Sequence, residues 1–408
     1  MSEEKSLPLK GIKILELGTY VAVPSCTRLL SDYGADVIKI EASIGDDWRY
    51  VGSSYHLPVA DGANPLFTAL NSNKKLISLN LKSPEGMEIL SRLLEESDVF
   101  ISNVRLKSLQ SMGIDYEQIK QKYPRLIYLH FSGFGYTGPD TERPGYDVAA
   151  FWARTGSLVD WSAGGGFPIK PSTGFGDLTC GAMLMSGILM AIIGRSQTGK
   201  GTFISSSLLA NGIWYNATSL LYSQEPFNYE LPPDQFSPGN PFIHYFRCKD
   251  GEWINITVFN YDRSFPRIAK VFGFEHWIGQ PDYCQQKQIH AKGTVKEIVE
   301  FLNGVFLQKT SEEWAEYLTE ADVVYEILGH TKQLSRDPQA WANGYLCDVT
   351  FAGGVKATMP NAPLQFSQYD RKSYNVPTCV GENTQEVLAS LGYSSDEIAA
   401  LKSNGFVK

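Results

Sequence analysis

The chain has 408 residues, 43% of them hydrophobic and 20% charged, with 36 Lys and Arg against 44 Asp and Glu and a formal charge of −8. At roughly 100–200 residues per domain this is two domains or one large one, with core enough to fold without disulfide or metal staples. A net acidic chain with no long basic run suits neither nucleic acid nor a membrane surface, so neither is an expected partner.

The N-terminal stretch Met1 to Pro8 has no apolar core and no small-residue cleavage site, so no secretory leader is read there and a cytoplasmic location is expected. The six cysteines (Cys26, Cys180, Cys248, Cys284, Cys347, Cys379) never form CxxC and never stand near a paired histidine. That argues against a disulfide framework or zinc site and reads as buried or free thiols. The longest apolar stretch, Ala182 to Gly194, falls short of the ~20 residues a bilayer helix needs.

In chain order, a strand at Ile12–Leu17, helical character at Pro24–Leu30 and a strand at Val37–Ile40 make a βαβ opening. A third strand, Leu76–Leu81, precedes Ser83-Pro84-Glu85, an N-cap serine and N1 proline ahead of Met87, Leu90, Leu93 and Leu94 at helical spacing. Strand Val99–Ser102, a short helix at Tyr116–Lys122 and strand Leu126–Phe131 repeat the alternation, which predicts a parallel, doubly wound sheet. A long apolar helix, Leu178–Ile193, and another strand from Phe203 follow. The proline-rich run Glu225–Asn240 reads as a linker. Beyond it, Phe242–Cys248 and Trp253–Val258 flank Lys249-Asp250-Gly251 as a hairpin, and a capping box at Thr310 and Glu313 opens a helix of a smaller α+β domain.

Two phosphate-loop strings fail on context. Gly133-Phe-Gly135-Tyr-Thr-Gly138 is followed by Pro139 and Pro144, which cannot open the helix a pyrophosphate needs. Gly194 to Lys200 continues with Gly201 in place of the magnesium-binding Ser or Thr, and reads as a helix C-cap and turn. No nucleophile elbow or HExxH occurs, and the six histidines are scattered, each by default a core or surface residue. What remains is Gly174-Phe-Gly176-Asp177 at the mouth of the apolar helix. A carboxylate there meets unsatisfied amides and the positive helix end, so it is expected to stay ionised, while apolar neighbours keep it poorly hydrated and nucleophilic. On spacing alone the commoner reading of Asp177 is an ordinary N-cap.

Nearly the whole chain carries a further pattern: Gly11-Ile-Lys-Ile-Leu-Glu-Leu, Gly34-Ala-Asp-Val-Ile-Lys-Ile-Glu41, Asn73-Lys74-Lys75, Leu79-Asn-Leu-Lys82, Asp98 to Asn103, Met112-Gly113, Ser132 to Gly135, Pro144-Gly-Tyr-Asp147 and Gly381-Glu-Asn-Thr. In this order and spacing the chain resembles the family III CoA-transferases, nearest to members acting on (R)-2-hydroxy acids such as 2-hydroxyisocaproate and phenyllactate. The segments that suggest that subgroup include Asn103-Val-Arg105, Ala149 to Arg154 and Gln339 to Asn343.

The resemblance implies that Asp177 is the catalytic aspartate, that Leu79, Lys82, Asn103 and Met112 contact CoA, and that Lys74, Lys75 and Arg105 are cations near its phosphates, the two lysines otherwise being solvated surface charges. No resident cofactor or metal is implied; CoA enters as part of the substrate, and the partners are an acyl-CoA and a carboxylic acid. Where formyl-CoA transferases carry a glutamine this chain has Val21, so Tyr20, Val21, Phe151 and Trp152 are expected to form an apolar acyl pocket, unless Phe151 and Trp152 are helix core instead. Ala42 and Ser111 replace arginines, and Ser237-Pro-Gly239-Asn replaces a glycine-rich lid.

The implied architecture is an α/β Rossmann-like domain of residues 1–200 and 338–408, linkers at 201–240 and 326–337, a small α+β domain at 241–325, and a homodimer of interlocked rings. Racemases of the same superfamily place a histidine before the aspartate of Gly-x-Asp; here it is Tyr146, a poor base at neutral pH. A non-catalytic CoA- or nucleotide-binding protein and a nicotinamide oxidoreductase are rival functions from different classes.

Overall fold

The structure, a computed structural model, describes residues 6–162 and 166–408. Residues 1–5, part of the stretch read above for a leader, and residues 163–165 lie outside it. The chain divides into two compact units, the first Met1–Ser157, Lys170–Leu221 and Asp337–Lys408, the second Leu158–Ile169 and Tyr222–Arg336.

The first unit is built on six parallel strands, β1 (Lys13–Leu17), β2 (Asp36–Glu41), β3 (Lys75–Ser78), β4 (Val99–Ser102), β5 (Ile127–Ser132) and β6 (Phe203–Ser207), in the order β3-β2-β1-β4-β5-β6. Ile14 lies opposite both Val37 and Val99, so β1 is the centre from which the two halves run outward. The inner strands are almost continuously buried, Val99–Ser102 throughout, because helices cover a parallel sheet on both faces. Helix Pro84–Glu96 starts where predicted, Ser83 Oγ accepting from the Gly86 N–H at 3.0 Å, and buries Ile89, Leu90, Leu93 and Leu94. Between β1 and β4 the winding reverses, which opens a crevice at the carboxyl ends of these strands.

Three expectations need correction. The connection expected from residue 201 begins later, because Phe203–Ser207 pairs with β5 inside the main sheet, Leu129 opposite Ile204. The second unit is also wider than 241–325, taking in Leu158–Ile169 and both flanking stretches. The apolar helix spans Phe175–Thr198, 24 residues, long and apolar enough by composition to cross a membrane. The sequence placed this helix at Leu178–Ile193, but a helix tolerates Gly194, and it stops only where Gly199 turns left-handed at φ +72° and donates to the Arg195 carbonyl at 2.8 Å. The helix packs along helix Ala22–Asp32 so closely that a Cβ on Gly181 would stand 2.0 Å from Ser25 Oγ.

Beneath the first strands lies a dry ionic network. Lys39 Nζ stands 2.7 Å from Glu16 and 2.9 Å from Asp46, and Lys74 Nζ 2.9 Å from Glu16, with both lysine and glutamate side chains wholly unexposed. Burial pushes the Glu16 carboxyl upward, yet the two lysines and Thr27 outweigh it and hold it down at about 2.

The segment Asp337–Lys408 returns to the first unit and closes the β3 edge. Asn383 and Leu76 exchange two hydrogen bonds of 2.9 Å, the Asn80 N–H donates to the Phe406 carbonyl at 2.8 Å, and Leu79 bridges Val407. The second unit holds an antiparallel sheet of β7 (Ile243–Arg247), β8 (Trp253–Thr257) and β9 (Tyr325–Ile327) against helices Tyr261–Phe272, Val295–Phe306 and Ser311–Glu320. Its core is aromatic, with Phe246, Phe265, Phe306 and Trp314 all buried.

Candidate active site

At the crevice, the loop after β1 meets the loop after β4. Asn103 Oδ1 accepts from the Thr19 N–H at 3.0 Å and its Nδ2 donates to the Thr19 carbonyl at 2.8 Å. The ionic network reaches the same loop: Lys39 donates to the Gly18 carbonyl at 2.7 Å, and Asp46 accepts from the Tyr20 N–H at 3.1 Å. Tyr20 is thereby held at φ +63°, a conformation few side chains adopt unaided.

Two cavities flank this loop and share Thr19 and Val104 as lining residues. The larger, about 550 Å³, runs past Ile40–Asp47, Leu79–Lys82 and Met112. The smaller, about 220 Å³, is walled by Tyr20–Ala22, Asn103–Leu106, His130–Gly133, Glu142–Tyr146, Leu208 and Asp177.

Asp177 is the third residue of helix Phe175–Thr198, not its N-cap; Gly174 is the cap, at φ +75°, with Val21 3.2 Å from where a Cβ would be. Burial, and then the neighbouring Asp147 charge, raise the Asp177 carboxyl from 3.8 to about 7. This corrects the expectation of an always-ionised group. A helix terminus stabilises a carboxylate by ~0.3–1 kcal/mol, less than one pKa unit, and cannot offset a rise of about three. Asp147 is itself raised by burial, opposed by the N–H groups of Val148, Gly176 and Asp177, and among the described residues its Oδ2 has no hydrogen-bond partner. Two carboxylates thus act on each other at one helix start, and among the described residues no cation figures in the shift of either.

Of the residues singled out from sequence, Asp177, Tyr20, Val21, Asn103 and Arg105 meet at the smaller cavity, and Leu79, Lys82 and Met112 at the larger. Four do not take the expected places. Lys74 is locked in the network under the sheet. Lys75 begins β3, at the amino end of that strand and outside both cavities, paired with Glu386 at 3.2 Å and Asp36 at 3.7 Å. Phe151 and Trp152 are 4% and 3% exposed, the Phe151 ring lying 2.9 Å from where a Gly176 Cβ would be, so they back the helix start from the core.

The amino-acid sequence matches the family model of CoA-transferase family III over residues 9–384. The chain belongs to that family. It is 37% identical over 400 residues to the (R)-2-hydroxy-4-methylpentanoate CoA-transferase of Clostridioides difficile, covering 98% of this chain and 99% of that one. It is 32% identical to the cinnamoyl-CoA:phenyllactate CoA-transferase of Clostridium sporogenes, covering 98% and 97%. Among solved structures, a CAIB/BAIF family protein from Brucella suis superposes with a TM-score of 0.78 at 26% identity, covering 95% of this chain and all of that one. The protein is a CoA-transferase, and CoA thioesters are its substrate class.

Three groups went unassigned in the sequence: Tyr146 and His130, which line the transferase's smaller cavity, and Asp147, whose charge acts on Asp177. Asp147 entered only as the aspartate of the Pro144-Gly-Tyr-Asp147 motif. Tyr146 stood only as a missing histidine, yet its hydroxyl donates to the Tyr20 hydroxyl at 3.3 Å. His130 looked like scattered core. Its Nε2 lies 2.9 Å from the Val104 carbonyl, its Nδ1 is buried without a partner among the described residues, and burial lowers its pKa.

Proposed function

We propose that the protein moves CoA from an acyl-CoA, a 2-enoyl- or 2-hydroxyacyl-CoA, to an (R)-2-hydroxy acid with an apolar side chain, using Asp177 as a covalent nucleophile. The carrying observation is Asp177 on the wall of a small cavity with its carboxyl raised to about 7. A carboxylate of that basicity, poorly hydrated, is a stronger nucleophile than a solvated aspartate. It attacks the thioester carbonyl, giving a mixed anhydride and CoA thiolate; the thiolate attacks the aspartyl carbonyl, giving aspartyl-CoA thioester and the free acid. The incoming carboxylate attacks that thioester, expelling thiolate and forming a second anhydride. The thiolate then takes the new acyl group and Asp177 returns as carboxylate. Enclosure keeps water from the anhydrides.

In this reading CoA lies along the larger cavity, with Leu79 and Met112 beside it and Lys82 as a cation for its phosphates, while Arg105 faces the smaller cavity next to the Val104 wall that the two cavities share. The acid occupies the smaller cavity, whose apolar wall includes Val21, Ala22, Leu106 and Leu208. The activities that name the two relatives support the substrate class. Tyr146 in the place of a catalytic histidine leaves an α-proton exchange without its base. A homodimer of interlocked rings belongs to the same reading. It is supported by apolar surface left open on the first unit, with Met190, Ile193, Trp214 and Leu221 each at least 60% exposed.

The test offers lactate, (R)-2-hydroxy-4-methylpentanoate, phenyllactate and carnitine at equal concentration with one enoyl-CoA donor. Burying a leucine- or phenylalanine-sized group contributes ~1.5–3 kcal/mol, so the bulky acids are expected to lead lactate by about ten- to a hundredfold in kcat/KM. Lactate or carnitine in first place rejects the apolar pocket while leaving the family and Asp177 untouched.

A further inference from the structure

We propose that His130 reads the 2-hydroxyl of the acid, its Nδ1 lone pair accepting a hydrogen bond from that hydroxyl. The inference rests on the reading above that the acid carries a 2-hydroxyl. His130 lies near the carboxyl end of β5, is 3% exposed, and lines the same cavity as Asp177. Its Nε2 stands 2.9 Å from the Val104 carbonyl, which can only accept, so the ring proton resides on Nε2 and Nδ1 presents a lone pair. Among the described residues no protein group answers that lone pair. Burial keeps the ring neutral against the weaker pull of the Glu142 carboxylate, and the Tyr136 ring beside it meets it edge-on at 5.5 Å between centroids.

A donor carried by the ligand would pair Nδ1. A thioester carbonyl and a carboxylate offer only acceptors, so the reacting groups cannot satisfy Nδ1. A hydroxyl on the carbon next to the carboxyl can, and it is carried into the cavity whenever that carboxyl approaches Asp177. A site that pairs a buried acceptor with a substrate hydroxyl rejects the analogue lacking it, because the acceptor is then left dry and unpaired. His130 is thus a specificity residue, apart from the bond-making steps, and it divides the labour with Val21 and its neighbours, which read the side chain.

The experiment compares (R)-2-hydroxy-4-methylpentanoate with 4-methylpentanoate, using one acyl-CoA donor, in the wild type, His130→Gln and His130→Asn, with a melting curve for each. Glutamine keeps an N–H near the Val104 carbonyl but loses the acceptor; asparagine keeps an acceptor near the Nδ1 position. The wild type is expected to prefer the hydroxy acid by about tenfold or more in kcat/KM, His130→Gln to bring the ratio within about twofold, and His130→Asn to restore part of it. A wild type indifferent to the hydroxyl overturns the 2-hydroxy-acid reading and this proposal with it. A folded His130→Gln that keeps the full preference overturns the proposal alone. So does a variant whose KM for acyl-CoA rises while the ratio stands, since Nδ1 then serves an amide of the CoA arm. A readout independent of any variant is the ¹⁵N shift of the His130 Nδ1, expected to move on adding the hydroxy acid and not on adding its deoxy analogue; equal movement with both rejects the assignment.

Discussion

Glu16 and Asp177 are carboxylates of one folded unit, both pushed toward protonation by burial, and they end at opposite extremes. Glu16, with no exposed surface, is held at about 2; Asp177, less deeply placed, rises to about 7. Depth does not explain the order. Glu16 has two ammonium groups within 2.9 Å, whereas the charge that acts on Asp177 is another carboxylate. In a low dielectric the countercharge, more than the burial, decides whether a buried acid is inert structure or reactive chemistry. The two regions also cooperate, since Lys39 and Asp46 fix the Gly18–Tyr20 loop that walls the site.

The sharpest way to break the contrast is to remove the reactive member. Asp177→Ala is expected to lower transfer by at least about a thousandfold, as loss of a nucleophile does. The protein should still fold, and hydroxylamine trapping during turnover should modify Asp177 in the wild type alone. An active Asp177→Ala ends the covalent proposal. The stability side has the opposite sign. Because the folded carboxyl titrates at about 7 against 3.8, the native state binds more protons than the unfolded chain between those values, and stability falls as pH rises through that window. Asp177→Asn should therefore melt higher than the wild type at pH 8, with the gain vanishing near pH 4; equal melting at pH 8 contradicts the raised carboxyl.

Next in size is the inert member. Glu16→Gln leaves Lys39 and Lys74 buried without their shared anion, and breaking such a pair costs about 3–5 kcal/mol. At ~2–4 °C per kcal/mol for a domain of this size, the melting temperature should drop by roughly 10 °C. The double variant Glu16→Gln/Lys74→Met should recover part of the loss, and a drop of only a degree or two would show that water enters the network.

The smallest effect sharpens the comparison. Asp147→Asn removes the neighbouring charge that helps raise Asp177, so Asp177 should ionise at lower pH. The rising limb of kcat/KM against pH, centred near 7 in the wild type, should move to the acid side by about half a unit to one unit. An unmoved limb assigns the whole rise to burial.

Much of this was legible beforehand. Strands Val99–Ser102 and Ile127–Ser132, the Ser83 cap, the Lys249–Gly251 hairpin and the Thr310–Glu313 capping box follow from local chemistry, and local chemistry is what periodicity records. Asp177 stood out in the sequence as a candidate, but its protonation did not. Helix position argues for a charge, and only the packing of Asp147 beside it argues against one. Lys74 and Lys75 illustrate the same limit. Lys74 stands just before β3 and Lys75 begins it, and nothing in their identity says that one meets Glu16 under the sheet while the other meets Glu386 outside it. Phe151 and Trp152 were ambiguous between pocket and core because a large apolar ring suits both.

The closure of the β3 edge carries a consequence for how the chain is made. Leu76 finds its partner Asn383 307 residues later in sequence, and Asn80 waits for Phe406. At about 5–20 residues per second of synthesis, that strand spends some 15–60 seconds with an unpaired row of amides and carbonyls before its cover exists. An emerging chain of this protein therefore exposes that edge to pairing with other strands until the segment around Asn383 to Phe406 is made.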